Sequence, residues 1–387
     1  MTDKKKILIV NNNLLIGGIQ KALVEFLKKT HEEYDITLLL FQKTGALLNE
    51  IPKDVKIIET KSAYKYLGKS QNSWGFFGRL KRGALAVLTR IFGFKFTVSF
   101  LNATVRKKEI EEDFDVAISY MHNSSYRSFY GGAVNYVLSK VHAKRKICFI
   151  HCDYLQSGTA NNYNDKLYAC FDKIVCVSDS VKRNFDKVLP TMSEKSVGLY
   201  NAIDVEKIEK LSKNRPYQYD KSFVNFVSVA RLSSEKGLDR AILAFSQTSK
   251  KNFRYYIIGG GKQYAELQDL ICANGLEKQV FLLGEQENPY CFMSGADWLV
   301  VPSYHEAAPV VYQEAKVLHL PILTTETSSA QEMVGSKFGI VVENSVEGLL
   351  QGIERAFDEL ETYKTSLEDY QYDEKEFLKD FDFIIND

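Results

Sequence analysis

The sequence contains no long apolar run. None of its hydrophobic stretches approaches the roughly 20 residues that a helix needs to span a bilayer, so no transmembrane segment is expected. Near the N-terminus, basic residues precede an apolar run that extends only from Ile7 to Val10. A signal peptide needs a longer apolar core and a cleavage site, so this run is predicted to be a first β-strand.

Closely spaced cysteine pairs are also missing. The six cysteines include no Cys-x-x-Cys pair and no spacing typical of a zinc site. Most of them lie in apolar stretches, which favours buried, reduced thiols in a cytosolic protein. We therefore expect reduced cysteines and no structural metal.

Acidic residues are absent from Lys61 to Lys108, although the net charge of the whole chain is only +1. Aromatic and aliphatic side chains are interspersed there with Lys and Arg, a composition that suits the surface of an anionic membrane. The residues predicted to contact the membrane are Trp74, Phe76, Phe77, Arg79, Lys81, Arg82, Arg90 and Phe92. The alternative is an ordinary helix that covers the core and presents a basic, solvated face. Beyond Glu343 carboxylates outnumber basic residues, so the two ends of the molecule are predicted to differ in charge.

The length and the element pattern favour an α/β protein with two domains. A chain of 387 residues exceeds the usual size of one domain, and its 45% of hydrophobic and 26% of charged residues are ordinary for a globular protein. Short apolar runs alternate with helical patterns in both halves, which is typical of parallel sheets with crossover helices. The polar stretch 211–222 is predicted to be the linker.

The clearest chemical pattern lies between two predicted buried strands, 298–302 and 320–324. A polar loop and a helix predicted over 308–318 connect them, as in the crossover of a parallel sheet. Glu306 in the loop and Glu314 on the helix are eight residues apart.

An anion site is predicted beside these two carboxylates. With Pro309 in the first turn of the helix, the amides of Ala308, Val310 and Val311 would be N-terminal donors for a phosphate. Carboxylates next to such a site would accept hydrogen bonds from sugar and ribose hydroxyls, so the pattern fits a neutral sugar diphosphate. The alternative is a solvated loop residue and a surface helix residue with no common role.

Two further loops follow predicted strands. After the strand 223–229, Arg231 and Lys236 place two cations at the carboxyl edge of a sheet, where they could neutralise a diphosphate leaving group. After the first strand, Gly17 and Gly18 would let a ligand approach the backbone. The glycine spacing differs from G-x-G-x-x-G, which counts against an NAD enzyme.

Together these motifs resemble the family-4 retaining glycosyltransferases. The family pattern E-G-x-P-x-x-x-x-E-A corresponds to E-A-A-P-V-V-Y-Q-E-A, which begins at Glu306, with Ala307 in place of the common glycine. The pattern G-R-L-x-x-x-K-G corresponds to A-R-L-S-S-E-K-G over 230–237, and the glycine-rich first loop to G-G-I-Q-K over 17–21. The resemblance covers nearly the whole chain.

The resemblance implies the GT-B fold, two Rossmann-like domains whose parallel sheets face each other across a deep cleft. Residues 1–210 would form an acceptor-binding, membrane-facing domain, residues 211–373 a nucleotide-sugar donor-binding domain, and residues 374–387 a helix that crosses back to the first domain. Implied catalytic residues are His151, beside the donor phosphate and reacting sugar, and Glu306. Gly284 would lie near the nucleotide base, and Glu314 would bind ribose.

The implied activity is that of a retaining hexosyltransferase in bacterial capsule or exopolysaccharide synthesis. It would move a sugar from a nucleotide-diphosphate sugar, a UDP-sugar as first choice, to a glycan or lipid-linked acceptor. The nucleotide sugar is a co-substrate, and no cofactor, metal or nucleic-acid partner is expected. The protein would be cytoplasmic and peripherally bound to the inner face of the cell membrane. Two alternatives are a sugar-nucleotide epimerase of the same fold and a nucleotide-sugar-binding module without turnover.

Overall fold

Parallel strands form both sheets of the protein. The computed structural model describes residues 4–68, 75–106, 110 and 112–387, and every strand pair in this part of the chain runs parallel. The chain divides into two compact units, Met1–Ala202 with Glu374–Asp387 and Ile203–Asp373. The α/β fold class with two Rossmann-like sheets is confirmed.

The first unit has a seven-stranded sheet in the spatial order β3-β2-β1-β4-β5-β6-β7. Its strands are β1 Lys6–Asn11, β2 Asp35–Leu40, β3 Lys56–Glu59, β4 Phe114–Ser119, β5 Ala143–Ile150, β6 Lys173–Cys176 and β7 Ser196–Gly198. Its helices are α1 Gly18–Thr30, α2 Phe76–Phe92, α3 Phe94–Ala103, α4 Ala133–Lys140, α5 Asn162–Tyr168, α6 Asp179–Val188 and, at the end of the chain, α15 Glu374–Asn386. The strand order reverses at β1, a position where open α/β sheets bind ligands at their carboxyl ends.

The second unit has a six-stranded sheet in the order β10-β9-β8-β11-β12-β13, with the same kind of reversal at β8. Its strands are β8 Val224–Val229, β9 Phe253–Ile258, β10 Val280–Gly284, β11 Trp298–Val301, β12 Ile322–Thr325 and β13 Gly339–Val342. Its helices are α7 Val205–Ser212, α8 Leu238–Gln247, α9 Tyr264–Ala273, α10 Tyr290–Met293, α11 Val310–Val317, α12 Ala330–Met333, α13 Val346–Asp358 and α14 Leu360–Leu367.

The C-terminal helix α15 is part of the core of the first unit. Phe26 on α1 makes edge-on contacts with Phe377 and Phe381 of α15, with ring centroids 5.9 and 4.8 Å apart. The Tyr34 hydroxyl donates a hydrogen bond of 2.9 Å to Asp382. Buried aromatic side chains contribute large apolar areas, so these contacts fix the last helix on this unit.

The second unit begins at Ile203, earlier than the linker predicted over 211–222. Ile208 on α7 belongs to a hydrophobic cluster made entirely of second-unit residues. Within the predicted linker, Tyr219 is buried and its hydroxyl donates to the Phe292 carbonyl at 3.0 Å. Polar composition misplaced the boundary because α7 and the segment after it pack along one unit.

The cysteines are less buried than their apolar surroundings suggested. All six are free; Cys148 and Cys176 are buried, Cys152 and Cys291 are half-buried, and Cys170 and Cys272 are exposed. The expectation of buried thiols is wrong for the exposed pair, because Cys170 follows the end of α5 and Cys272 lies in the last turn of α9, away from the sheet. In the described ranges, no group of three or more His, Cys, Asp or Glu side chains is placed to hold a metal ion.

A lysine is buried on α11. Lys316 is 8% exposed, its Nζ donates to the Met333 carbonyl at 3.3 Å, and it lies 4.8 Å from the centroid of the Phe338 ring. Burial, with a smaller contribution from Lys337, lowers the pKa of Lys316 to about 8. Holding the proton therefore costs the folded state free energy.

Lys316→Met is expected to raise the free energy of unfolding at neutral pH by on the order of 2 kcal/mol. Each unit of pKa shift corresponds to about 1.4 kcal/mol, and loss of the lysine's contact with the Phe338 ring reduces the gain. Because the pKa is lowered on folding, the unfolded state binds more protons between about pH 8 and the ordinary lysine pKa of about 10.4. Stability of the wild type at this site therefore rises with pH across that window. Urea unfolding at pH 7 and pH 10 checks this. The prediction is contradicted if Lys316→Met is less stable than wild type at pH 7, or if its gain in stability over wild type is as large at pH 10 as at pH 7.

Candidate functional site

Two loops meet at the carboxyl edge of the second sheet, one after β8 and one after β11. The Tyr304 amide donates to the Glu235 carbonyl at 3.0 Å and so joins the loops. Gly237 has φ +60°, and a Cβ there would lie 2.2 Å from the Pro302 carbonyl oxygen. A glycine is therefore needed for the two loops to approach this closely.

Arg240 on α8 anchors the loop after β11 by hydrogen bonds to backbone carbonyls. Its Nε and one Nη donate to the Pro302 carbonyl at 2.8 and 2.5 Å, and the other Nη donates to the Asn344 carbonyl at 3.2 Å. The guanidinium lies 3.8 Å from the centroid of the Tyr304 ring, a cation–π contact. Burial lowers the pKa of Arg240, which stays charged because an arginine pKa starts so high. Sequence reasoning missed this residue, because its partners are backbone carbonyls.

Lys236 and Glu306 are in direct contact. The Lys236 Nζ donates to Glu306 Oε1 at 2.6 Å, and the Ser303 hydroxyl donates to the same oxygen at 2.7 Å. The two charged side chains are only 21% and 11% exposed. The structure therefore brings together a predicted phosphate ligand and a predicted sugar ligand, which are 70 residues apart in sequence.

Arg231 lies in a more open position than Lys236. One of its Nη atoms is 3.2 Å from Glu235 Oε1, and the side chain is 66% exposed. The Ser233 hydroxyl donates to the same carboxylate at 2.7 Å. Burial would raise the pKa of Glu235, but the bond from Ser233 and the charge of Arg231 lower it overall. Arg231 is thus held on the surface by its own loop.

Helix α11 begins at Val310, one residue after Pro309. Pro309 has φ −67° and ψ 121°, an extended conformation, so it precedes the helix and does not lie in its first turn. Its ring fixes φ but leaves ψ free to continue the loop. Ala308 therefore lies in the loop, and within the described part of the chain no side-chain hydrogen bond caps the helix. Val310 and Val311 form the first turn, where amides point towards a potential anion.

Glu314 is a buried carboxylate and not a surface residue of α11. It is 9% exposed, and the Tyr290 hydroxyl donates to its Oε1 at 2.8 Å. Tyr290 lies on α10, a helix of only four residues that the sequence pattern did not predict. Only the folded chain places these side chains together.

Glycines line the neighbouring strand ends. The Gly259 amide donates to the Gly284 carbonyl at 2.9 Å, and a Cβ on Gly259 would lie 1.8 Å from the Ala230 carbonyl oxygen. Gly284 ends β10 with φ +67°, and a Cβ there would meet nothing within 4 Å. These glycines therefore leave backbone groups without side chains at this edge of the sheet, next to the loop that contains Arg231.

In the first unit, Gly17 and Gly18 lie at the start of α1, after β1. Gly17 is the extended residue before the helix, and a Cβ on Gly18 would meet nothing within 4 Å. Packing within the unit does not require glycine at position 18. This open space at a helix N-terminus is compatible with the predicted approach of a phosphate.

His151 directly follows β5. Its ring packs against those of Tyr120 and Phe149, with centroids 4.8 and 5.8 Å away, and its amide donates to Nδ1 of His122 at 3.3 Å. Burial, together with the charge of His122, lowers the pKa of His151 to about 3. The ring is neutral at physiological pH and can exchange hydrogen bonds but carries no charge. Its buried Nε2 has no partner in the described residues.

Helix α2 leaves its apolar face uncovered. The exposed hydrophobic side chains of α2 and α3 are Phe76, Phe77, Leu80, Val87, Leu88, Ile91, Phe92, Phe96 and Phe100. On α2 only Leu85 and Thr89 are buried, so α2 is not an ordinary core-covering helix.

The predicted basic contacts on α2 differ in orientation. Arg79, Lys81 and Arg90 are exposed, whereas the guanidinium of Arg82 packs 5.6 Å from the centroid of the Phe129 ring. Trp74 lies outside the described residues. Among the helices that the structure describes, none combines the length and apolar character needed to cross a membrane.

Comparison with known proteins finds a family match for most of the second unit. Residues 210–369 match the family described as glycosyl transferases group 1. We call this matched stretch the group 1 segment. The group 1 segment contains Lys236, Glu306 and Glu314, together with Arg231 and Gly284.

Curated relatives that match part of the chain are named as glycosyltransferases. The chain is 29% identical over 220 residues to a Campylobacter jejuni N-acetylgalactosamine-N,N'-diacetylbacillosaminyl-diphospho-undecaprenol 4-alpha-N-acetylgalactosaminyltransferase, covering 54% of this chain and 56% of the relative. It is 32% identical over 160 residues to the putative colanic acid biosynthesis glycosyltransferase WcaL of Escherichia coli, covering 38% of this chain and 39% of WcaL. The chain thus spans about half the length of the curated relatives it matches.

Solved structures resemble the chain over nearly its whole length. Anabaena Alr3699/HepE in complex with UDP and glucose has a TM-score of 0.69 at 16% identity, covering 98% of each chain. WaaG, a glycosyltransferase involved in lipopolysaccharide biosynthesis, has a TM-score of 0.61 at 17% identity, covering 98% of this chain and 100% of WaaG. At these identities the likeness shows the fold, which is GT-B.

Proposed function

We propose that the protein is a retaining glycosyltransferase. It moves a sugar from a nucleotide-diphosphate sugar, a UDP-sugar as first choice, to a lipid-linked glycan in bacterial surface polysaccharide synthesis. The observation that carries this proposal is the contact of Lys236 with Glu306, in the loops beside the uncapped start of α11 and within the group 1 segment. A cation, helix amides and a carboxylate suit a diphosphate attached to a neutral sugar.

Catalysis would consist of positioning the donor and stabilising the departing diphosphate. Lys236 and the amides of Val310 and Val311 would bind the phosphate oxygens, where negative charge grows as the glycosidic bond breaks. Glu306 would accept hydrogen bonds from sugar hydroxyls, and the assignment of His151 as a catalytic residue stays a prediction. Since protein groups supply the positive charge, we propose that no divalent metal is required.

The names of relatives support the donor and acceptor classes. HepE has been crystallised with UDP and with UDP-glucose, which favours a uridine nucleotide. The Campylobacter relative is named for an acceptor on diphospho-undecaprenol, which favours a lipid-linked glycan.

A donor screen tests the activity. The full chain is incubated with radiolabelled UDP-, GDP- and dTDP-sugars and lipid-linked acceptors, with and without EDTA. Labelled acceptor whose anomeric configuration matches that of the donor, formed equally in EDTA, supports the proposal. An isomerised donor would identify an epimerase, binding without product a module without turnover, and loss of product in EDTA a metal requirement.

We further propose that α2 and α3 dock the first unit on anionic lipid at the inner face of the cell membrane. Exposed Phe76, Phe77 and Phe92 would enter the interface, and exposed Arg79 and Arg90 would meet lipid headgroups. Each basic residue near such a surface contributes on the order of 1 kcal/mol, and burial of the apolar side chains adds to this. Several contacts of this size give reversible binding that weakens as salt screens the charges.

Arg79/Lys81/Arg90→Glu is expected to lower binding to anionic liposomes at least tenfold, because three attractive charges become repulsive. Co-sedimentation with vesicles of increasing anionic content measures this. Arg82 is left unchanged because it packs on Phe129. The matched control, Lys251/Lys262/Lys278→Glu, makes the same charge change on exposed residues of the second unit and should bind like wild type. Equal sedimentation of both variants, or none by wild type at low salt, would refute membrane docking by α2 and α3.

A further inference from the structure

Tyr290 and Glu314 form a contact in the second unit that links two short helices. Tyr290 lies on α10, just after the loop that follows β10, and Glu314 lies in the middle of α11. We propose that Tyr290 is a positioning residue that orients the Glu314 carboxylate and thereby makes the site select ribose over 2′-deoxyribose. The inference rests on the proposed function, in which Glu314 binds the ribose of the donor nucleotide.

Tyr290 is held firmly enough to position another group. Its ring packs against the hydrophobic cluster that includes Ile208 of α7 and Val317 of α11. On either side of α10, the Asn288 side chain donates to the Leu211 carbonyl at 2.8 Å and the Ser294 hydroxyl donates to the Ser212 carbonyl at 3.3 Å. The phenol oxygen is therefore carried by a packed ring on an anchored helix.

Glu314 benefits from such a partner because a glutamate side chain has several rotatable bonds. Ordering a free glutamate on ligand binding would lower affinity, since its rotamer freedom is lost at that moment. The bond of 2.8 Å from Tyr290 to Oε1 orders the carboxylate before the ligand arrives. An ionised carboxylate accepts about four hydrogen bonds, so one carboxylate can accept from a tyrosine hydroxyl and from ribose hydroxyls at the same time.

The orientation of the carboxylate determines selectivity more than overall affinity. The two hydroxyls of a ribose lie side by side and donate to one carboxylate only if its plane faces both. A 2′-deoxyribose lacks one of these donors, so it gains less from an oriented carboxylate. Removing the Tyr290 hydroxyl should therefore weaken ribonucleotide binding while leaving 2′-deoxyribonucleotide binding almost unchanged.

Binding of matched nucleotides to the full chain tests this inference. Isothermal titration measures the dissociation constants of UDP and 2′-deoxy-UDP, and of GDP and 2′-deoxy-GDP, for wild type and Tyr290→Phe. Wild type is expected to favour the ribonucleotide by about tenfold or more, the effect of one hydrogen bond to a charged group. Tyr290→Phe should reduce this ratio at least threefold, and Glu314→Gln should bring it close to one.

Tyr219→Phe is the matched control. It removes a hydroxyl that also contacts α10, through the Phe292 carbonyl at 3.0 Å, but that does not contact Glu314 in the described structure. If Tyr290 acted only by stabilising α10, both variants would change the ratio. A wild-type ratio near one, an unchanged ratio in Tyr290→Phe, or an equal change in Tyr219→Phe overturns the inference while nucleotide binding itself still supports the proposed function. Failure of wild type to bind any of the four nucleotides overturns both.

Discussion

Glu306→Gln is expected to reduce sugar transfer by about 10²–10³-fold, while UDP binds at least as tightly as to wild type. The loss of rate follows because the carboxylate would contact the sugar as the glycosidic bond breaks, and removing one such contact typically costs this much. Binding of UDP should not suffer, because UDP lacks the sugar. The Lys236 Nζ is 2.6 Å from the Glu306 carboxylate, so the amide variant leaves this lysine more available to the diphosphate.

The two effects can be separated by a double-mutant comparison. Glu306→Gln should tighten UDP binding in the wild-type background but have little effect in a Lys236→Met background, if the gain comes from release of the lysine. Glu326→Gln, an exposed carboxylate just after β12, is the control for a general loss of negative charge. Full transfer activity in Glu306→Gln would end the assignment of Glu306 as a donor ligand. A gain of UDP affinity that persists without Lys236 would contradict the proposed competition.

Lys236→Ala is expected to weaken UDP binding by 1.5–3 kcal/mol, about ten- to a hundredfold, because a charge-assisted contact with the diphosphate is lost. Uridine, which has no phosphate, should bind both proteins alike. Arg231→Ala should have a smaller effect, since Arg231 is 66% exposed and already pairs with Glu235. Exposed ion pairs are screened by water and contribute little.

Titration of UDP and uridine into wild type and both variants measures these differences. Lys262→Ala removes an exposed lysine just beyond the glycines that follow β9 and serves as the control for a change in overall charge. The diphosphate assignment fails if wild type and Lys236→Ala bind UDP equally. The ranking fails if Arg231→Ala weakens binding more than Lys236→Ala does.

The fold could be predicted from the sequence because of how parallel sheets are buried. Strands covered on both faces appear as short, continuous apolar runs, such as Ile7 to Val10, whose side chains are fully buried. The alternation of such runs with helical patterns leaves few other arrangements. The composition signal failed at 211–222, because a polar segment can still pack along one unit when one of its side chains, here Tyr219, is buried.

Several candidate site residues could also be predicted, because chemical motifs at strand ends are local in sequence. Lys236, Glu306 and Glu314 were singled out from their places after predicted strands and from the resemblance to family-4 glycosyltransferases, and the group 1 match covers all three. The prediction of membrane contact also depended on local sequence, because the apolar and basic residues of α2 follow one another along one helix.

Local sequence thus determined the strands, the loops at their carboxyl ends and the charged groups that those loops carry. Only the tertiary structure decided which groups touch: Lys236 with Glu306, Tyr290 with Glu314, and Arg240 with the Pro302 carbonyl. Only the packing of the unit shows that α2 leaves its apolar face exposed. The reason is physical: a hydrogen bond needs two atoms within about 3 Å, and residues distant in sequence come this close only when the chain has folded.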